Sequence, residues 1–146
     1  MTPDQELRLL EYINGLVGKP FEYGKNDCPL LAAGVLDCMD GGTRRSNMTG
    51  LWHDKKSAWR YMAKHGDFAE HLKANGCDEI NGGMIYAQPG DLILMERTLA
   101  HDKRWHSVGV CLGAKAALMT EDDGLIRVPV FQIPPSTKVM RWPSQQ

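Results

Sequence analysis

No apolar run in this chain approaches the roughly 20 residues that a membrane-crossing helix needs; stretches such as Leu30 to Leu36 stop far short. Charge of one sign is lacking too. The formal net charge is −1, which gives no global attraction to nucleic acid or to an anionic membrane. The opening Met1-Thr2-Pro3-Asp4-Gln5 has neither the basic nor the apolar segment of a secretory signal, so delivery to another compartment is expected to need another carrier. Internal repeats and low-complexity stretches are missing. So is any Cys-x-x-Cys pair: Cys28, Cys38, Cys77 and Cys111 lie 10, 39 and 34 residues apart, which argues against zinc. No metal and no cofactor are expected. Gly41-Gly42 and Gly82-Gly83 lack the strand and Lys-Ser/Thr context of a phosphate loop.

What is present is an ordinary globular balance, with 42% hydrophobic and 24% charged residues in 146. That length fits one domain, taken as residues 1–146. A chain of this size holds a core without staples, so the four cysteines are expected as reduced thiols rather than two disulfides.

The first half reads as helices. Thr2, Pro3 and Gln5 form a capping-box start, Leu7, Leu9, Leu10, Ile13 and Leu16 give a helical apolar spacing, and Gly15 and Gly18 mark the end. Residues 18–27 form an extended or looped approach, broken by Pro20 and Gly24. Asp27 then caps a second helix with Pro29 in its first turn; Leu30 to Leu36 are apolar nearly all round, which predicts a central, buried helix. Residues 40–49 read as a polar surface loop in which Arg44 and Arg45 form a solvated basic turn. Asp54 and Asp67 cap two further helices, running to about His65 and about Asn75, and residues 81–83 form another loop. Beyond Pro89-Gly90 five short apolar runs read as strands: 91–96, 107–112, 116–120, 125–130 and 137–142. Asp123-Gly124 marks a hairpin turn. Helices first and strands second predict an α+β domain.

A cysteine nucleophile acts as thiolate, and a helix N-terminus favours that form. Cys28 alone of the four thiols falls at a helix start; its alternative is a buried structural thiol. The base is sought among the histidines: His101 and His106 in the strand half, His53, His65 and His71 in the helical half. Trp52, Trp59 and Tyr61, with Lys55 and Lys56, read as a helical stripe, with the two tryptophans seven residues apart on one face. Such a stripe is core, or a docking face for a partner.

Three segments carry a resemblance: Gly24-Lys25-Asn26-Asp27-Cys28 before an apolar helix, Pro89-Gly90-Asp91-Leu92-Ile93, and His106-Ser107-Val108-Gly109-Val110-Cys111-Leu112-Gly113. Together they resemble the signature of NlpC-type (papain-like) cell-wall cysteine endopeptidases. Over about residues 5–142 the chain also resembles small phage and prophage tail-associated proteins of unknown function, with Gly18 to Cys28, Gly109 to Gly113, Gly124-Leu125, Val128-Pro129 and Trp142 as the shared pattern.

The resemblance implies a papain-like α+β fold of N-terminal helices on a C-terminal antiparallel sheet. It implies a protein of the virion tail tip, made in the host cytoplasm, that hydrolyses amide bonds of peptidoglycan stem peptides during genome delivery. Its partners would be other tail tip proteins and the cell-wall peptide, with no nucleic acid and no membrane span. Cys28 would attack the carbonyl and His106 would serve as base. Tyr23, Asp27 and Thr120 would support the site, with helix-start N–H groups helping to hold the oxyanion. The chain departs from the family pattern at the base. Aligned on Val108-Gly109, Ser107 takes the family's histidine position and His106 comes one residue early, which in a regular strand faces the other way unless a bulge intervenes. The family's third polar group falls near Met119 or Thr120, and Pro29-Leu30 replace its small pair after the nucleophile. A catalytically inactive tail scaffold on the same fold is the alternative function, and an amidase or acyltransferase is a third class.

Overall fold

The computed structural model describes residues 1–64, 66–98 and 104–143, with side chains for all of these except 97, 98 and 104–106. Five helices come first: α1 Pro3–Leu16, α2 Cys28–Asp40, α3 Arg44–Met48, α4 Lys55–Ala63 and α5 Phe68–Ala74. Six strands follow: β1 Asp78–Glu79, β2 Leu92–Thr98, β3 Arg104–Cys111, β4 Lys115–Thr120, β5 Gly124–Pro129 and β6 Lys138–Arg141. They form one antiparallel sheet in the order β1-β6-β2-β3-β4-β5. The α+β class and its helices-then-sheet arrangement are as expected from the segregated patterns.

Local chemistry sets the helix starts. Thr2 Oγ1 accepts from Gln5 N at 3.2 Å while Gln5 Oε1 accepts from Thr2 N at 2.8 Å, a reciprocal capping box. Of α1's apolar positions, Leu9, Ile13 and Leu16 are buried, whereas Leu7 and Leu10 stay exposed. Helix α2 is buried along almost its whole length, from Cys28 to Met39, and stops at Gly41 in the left-handed conformation with φ 74°. Asp54 and Asp67 cap α4 and α5.

Three expectations are corrected. Residues 44–48, read as loop, form α3, because Asp37 accepts from the Arg44 and Arg45 backbone N–H groups at 2.9 and 3.0 Å and organises its first turn. The two arginines are not a solvated turn. Arg44 Nη1 and Nη2 donate to the two carboxylate oxygens of Asp40 at 2.8 and 2.7 Å, and Arg45 donates to Tyr12 Oη and, at 3.2 Å, to Leu30 O. Trp52 and Trp59 do not share a helix face, since Trp52 precedes the Asp54 cap. Trp52 is a core residue, packed on Leu30 and Ala58 with its ring 5.0 Å from that of Tyr61. The structure also has β1, and a short 3₁₀ turn, Gly83–Tyr86, that begins at the end of the 81–83 loop; no sequence pattern marked either.

The sheet is covered on both sides, which is why its central strands read as continuous apolar runs rather than alternating ones. Leu92, Leu94, Val108, Val110, Ala117, Met119 and Met140 pack with α1 and α2, and Cys28 belongs to this same core. Ile93, Cys111, Ala116 and Val139 pack on the opposite side, against Met84 and Ile133. The β2–β3 ladder runs pair for pair from Leu92↔Val110 to Thr98↔Arg104 without a bulge. Along β3, therefore, Val108 and Val110 belong to the α2 side and Cys111 to the outer side.

Candidate functional site

The segment leading into α2 is a tight reversal. Glu22 and Asn26 exchange backbone hydrogen bonds at 2.9 and 2.8 Å, and the Asn26 amide donates to Pro20 O at 3.0 Å. Gly24 sits at φ 80°, and a Cβ there would collide with the Trp52 carbonyl. Only glycine meets both conditions.

Asp27 follows, buried to 1% exposure. Its Oδ1 accepts from Leu30 N at 3.1 Å; its Oδ2 accepts from Gly24 N at 2.8 Å and from Trp52 Nε1 at 2.6 Å. One carboxylate thus caps α2, closes the turn and anchors the indole. Asp27 therefore supports the site through the turn and the cap. Of the first-turn donors, Pro29 has no N–H, and Leu30 N and Leu31 N both donate to Asp27. The Leu30 and Leu31 N–H groups of the first turn are thus committed to Asp27.

Cys28 opens α2 at 6% exposure, inside a narrow cleft lined by Phe21, Tyr23, Asp27, Ser107, Met119 and Glu121. Its Sγ lies 3.9 Å from Met119 O, hydrogen-bonding distance for a thiol donor. The cleft's free volume is about 10 Å³, on the order of one water. At its mouth the Tyr23 hydroxyl donates to Glu121 Oε1 at 2.9 Å, and the Tyr23 ring stands edge-on to Phe21 with centroids 4.8 Å apart. Burial and the Glu121 carboxylate raise the Tyr23 phenol above its ordinary range.

The structure brings Cys28, Tyr23 and Asp27 together at one cleft. Thr120 Oγ1 is engaged in the β4–β5 turn, donating to Gly124 O at 2.8 Å and accepting from Asp123 N at 3.2 Å. His106 lies in β3 opposite Glu96, and its side chain is outside the described residues, as are His65 and His101 altogether. His53 pairs with Asp54 on the surface, and His71 Nε2 lies 3.4 Å from Met62 O. Neither lines the Cys28 cleft. Ser107 borders the cleft while having the strand parity of Gly109 and Cys111.

The residue that sequence reasoning missed is Glu121. Its signal is positional: it is the first residue of the Asp-Gly turn after β4, the strand that pairs with β3. All four thiols are buried. Burial pushes Cys38 and Cys77 up to about 11, and Cys111 upward as well. Among the described residues there is no cluster of three or more His, Cys, Asp or Glu able to hold a metal, and no helix long and apolar enough to cross a membrane.

Comparison with known proteins yields one family, a domain of unknown function, DUF6950, whose profile matches residues 1–135. The chain belongs to the DUF6950 family. No curated protein and no solved structure matches it. The matched span takes in the whole Cys28 cleft of this DUF6950 chain, from Phe21 to Glu121, and leaves β6 outside.

Proposed function

We propose that this DUF6950 protein is a phage tail-associated protein with an NlpC-type, papain-like cysteine peptidase fold that hydrolyses amide bonds of peptidoglycan stem peptides. The observation that carries the reading is Cys28 at the start of a buried central helix, packed on the sheet. That is the setting in which a helix dipole favours a thiolate. The motif resemblance supplies the substrate class and the tail location. His106 is the proposed base. The motif resemblance supplies this role; in β3, which pairs with β2 without a bulge, the described residue that lines the Cys28 cleft is its neighbour Ser107.

A specific observation favours a second reading, an inactive tail component that keeps the fold as an assembly scaffold. Among the described residues the lining of the Cys28 cleft is Phe21, Tyr23, Asp27, Ser107, Met119 and Glu121, with no histidine. The Asp27 carboxylate already occupies the helix start, and about 10 Å³ is free around the thiol. Release of peptide fragments from purified sacculi separates the two readings. The hydrolase reading predicts release by the wild type and a loss of about 10⁴-fold in Cys28→Ala. Undiminished release by Cys28→Ala would remove the cysteine mechanism. No release by the wild type, with Cys28→Ser virions infecting normally and truncated chains failing to assemble tails, would establish the scaffold.

A further inference from the structure

We infer that the Tyr23–Glu121 hydrogen bond is a latch that holds the Cys28 cleft closed, and that reagents and ligands reach the thiol only when it opens. Three observations carry this. First, the two residues come from different parts of the fold, Tyr23 from the turn before α2 and Glu121 from the turn after β4, and their 2.9 Å contact joins the two. Second, the residues joined are themselves cleft lining, and the thiol beneath them is at 6% exposure with space on the order of one water beside it. An acyl group cannot approach Sγ through such an opening.

Third, the parts on either side of the latch are unequally anchored. Below Tyr23 the turn is fixed by Asp27, Trp52 and the Glu22–Asn26 bonds, and Phe21 packs on the Tyr23 ring. Glu121 is exposed at the tip of the β4–β5 hairpin. Its carboxylate can swing away on side-chain torsions alone, without cost to the ladder, on the fast timescale of exposed rotamers. The latch is therefore a side-chain device on a rigid frame. It governs access to the thiol, whether or not that thiol hydrolyses a peptide.

The test reads access directly, so its failure is distinct from failure of the sacculus assay. Alkylation of each cysteine by iodoacetamide is followed by mass spectrometry at one pH in the wild type, Tyr23→Phe, Glu121→Ala and the double variant. Tyr23→Phe removes the donor, keeps the ring and changes no charge. It is expected to speed Cys28 about tenfold, the population ratio that a partly solvated, charge-assisted hydrogen bond sustains, while Cys38, Cys77 and Cys111 keep their rates. In the Glu121→Ala background the same tyrosine change is expected to have no further effect, because its partner is already gone. An unchanged Cys28 rate in Tyr23→Phe overturns the latch. So does an equal gain in both backgrounds, or a gain shared by all four thiols, which would be general loosening.

Discussion

Asp27 concentrates more of the site's structure than any neighbouring residue, because each of its oxygens is committed and neither faces bulk water. A buried carboxylate is tolerated when hydrogen bonds replace its hydration, and here three donors from three segments do so: Leu30 N in α2, Gly24 N in the turn and Trp52 Nε1 from the segment before α4. Replacing Asp27 with alanine removes a cap, worth about 1 kcal/mol, and strands a buried indole N–H and a buried backbone N–H, each costing about 1–3 kcal/mol. The expected loss is about 3–5 kcal/mol in urea unfolding, accompanied by a change in the environment of the Trp52 indole. Asp27→Asn keeps an acceptor for Leu30 but presents an NH₂ to two donors, and falls between the wild type and alanine. A loss under about 1 kcal/mol for Asp27→Ala would show that the turn is held by its backbone bonds without the carboxylate.

At the scale of elements, the Cys28 helix packs closely on α1. Gly34 is the residue that permits it: a Cβ there would overlap the Tyr12 ring and hydroxyl. The tyrosine uses that space to donate toward Leu30 O and Leu31 O at 3.2 and 3.3 Å while accepting from Arg45 of α3. Two effects oppose each other in Gly34→Ala. Helix propensity favours alanine by about 1 kcal/mol. Overpacking costs about 1–3 kcal/mol, and displacing Tyr12 sacrifices hydrogen bonds worth about 1 kcal/mol each. The prediction is net destabilisation of about 1–3 kcal/mol by urea titration; a variant more stable than the wild type would mean that α1 can slide without loss.

Elements are also where legibility from sequence divides. The starts of α1, α2, α4 and α5 were readable because Thr2, Asp27, Asp54 and Asp67 act within three residues of themselves. The five longer strands were readable from apolar runs and the Asp123-Gly124 turn. Helix α3 was not, because its polar residues carry no apolar period and its organising carboxylate, Asp37, lies seven residues upstream. Two-residue β1 has no pattern of its own and exists by pairing with β6. The site divides in the same way. Tyr23, Asp27 and Cys28 are one local motif, whereas Glu121 meets Tyr23 across 98 residues of chain and Trp52 meets Asp27 across 25. Such contacts are tertiary, and no periodicity announces them.

For the molecule as a whole, the buried thiols tie stability to alkaline pH. Cys38 near the end of α2, Cys77 after α5 and Cys111 in β3 are all held protonated by burial, the first two up to about 11 against an ordinary value of 9.0. Below about pH 9 the folded and unfolded chains carry the same thiol protons, and this contribution to stability is fully present. Between about 9 and 11 the unfolded chain releases protons that the fold retains, so stability falls as pH rises, and above about 11 the contribution is gone. Tyr12, raised by its burial between α1 and α2, adds a loss of the same sign at higher pH. The urea midpoint, measured in the presence of reductant, is therefore expected to decline steadily from pH 9 to 11. In a Cys38→Ala, Cys77→Ala variant the decline is expected to be shallower, even though the lost packing lowers the midpoint at every pH. The slope, not the absolute value, tests the claim: an identical slope in the double variant would mean that these two thiols ionise alike in both states and that the core admits enough water to solvate them.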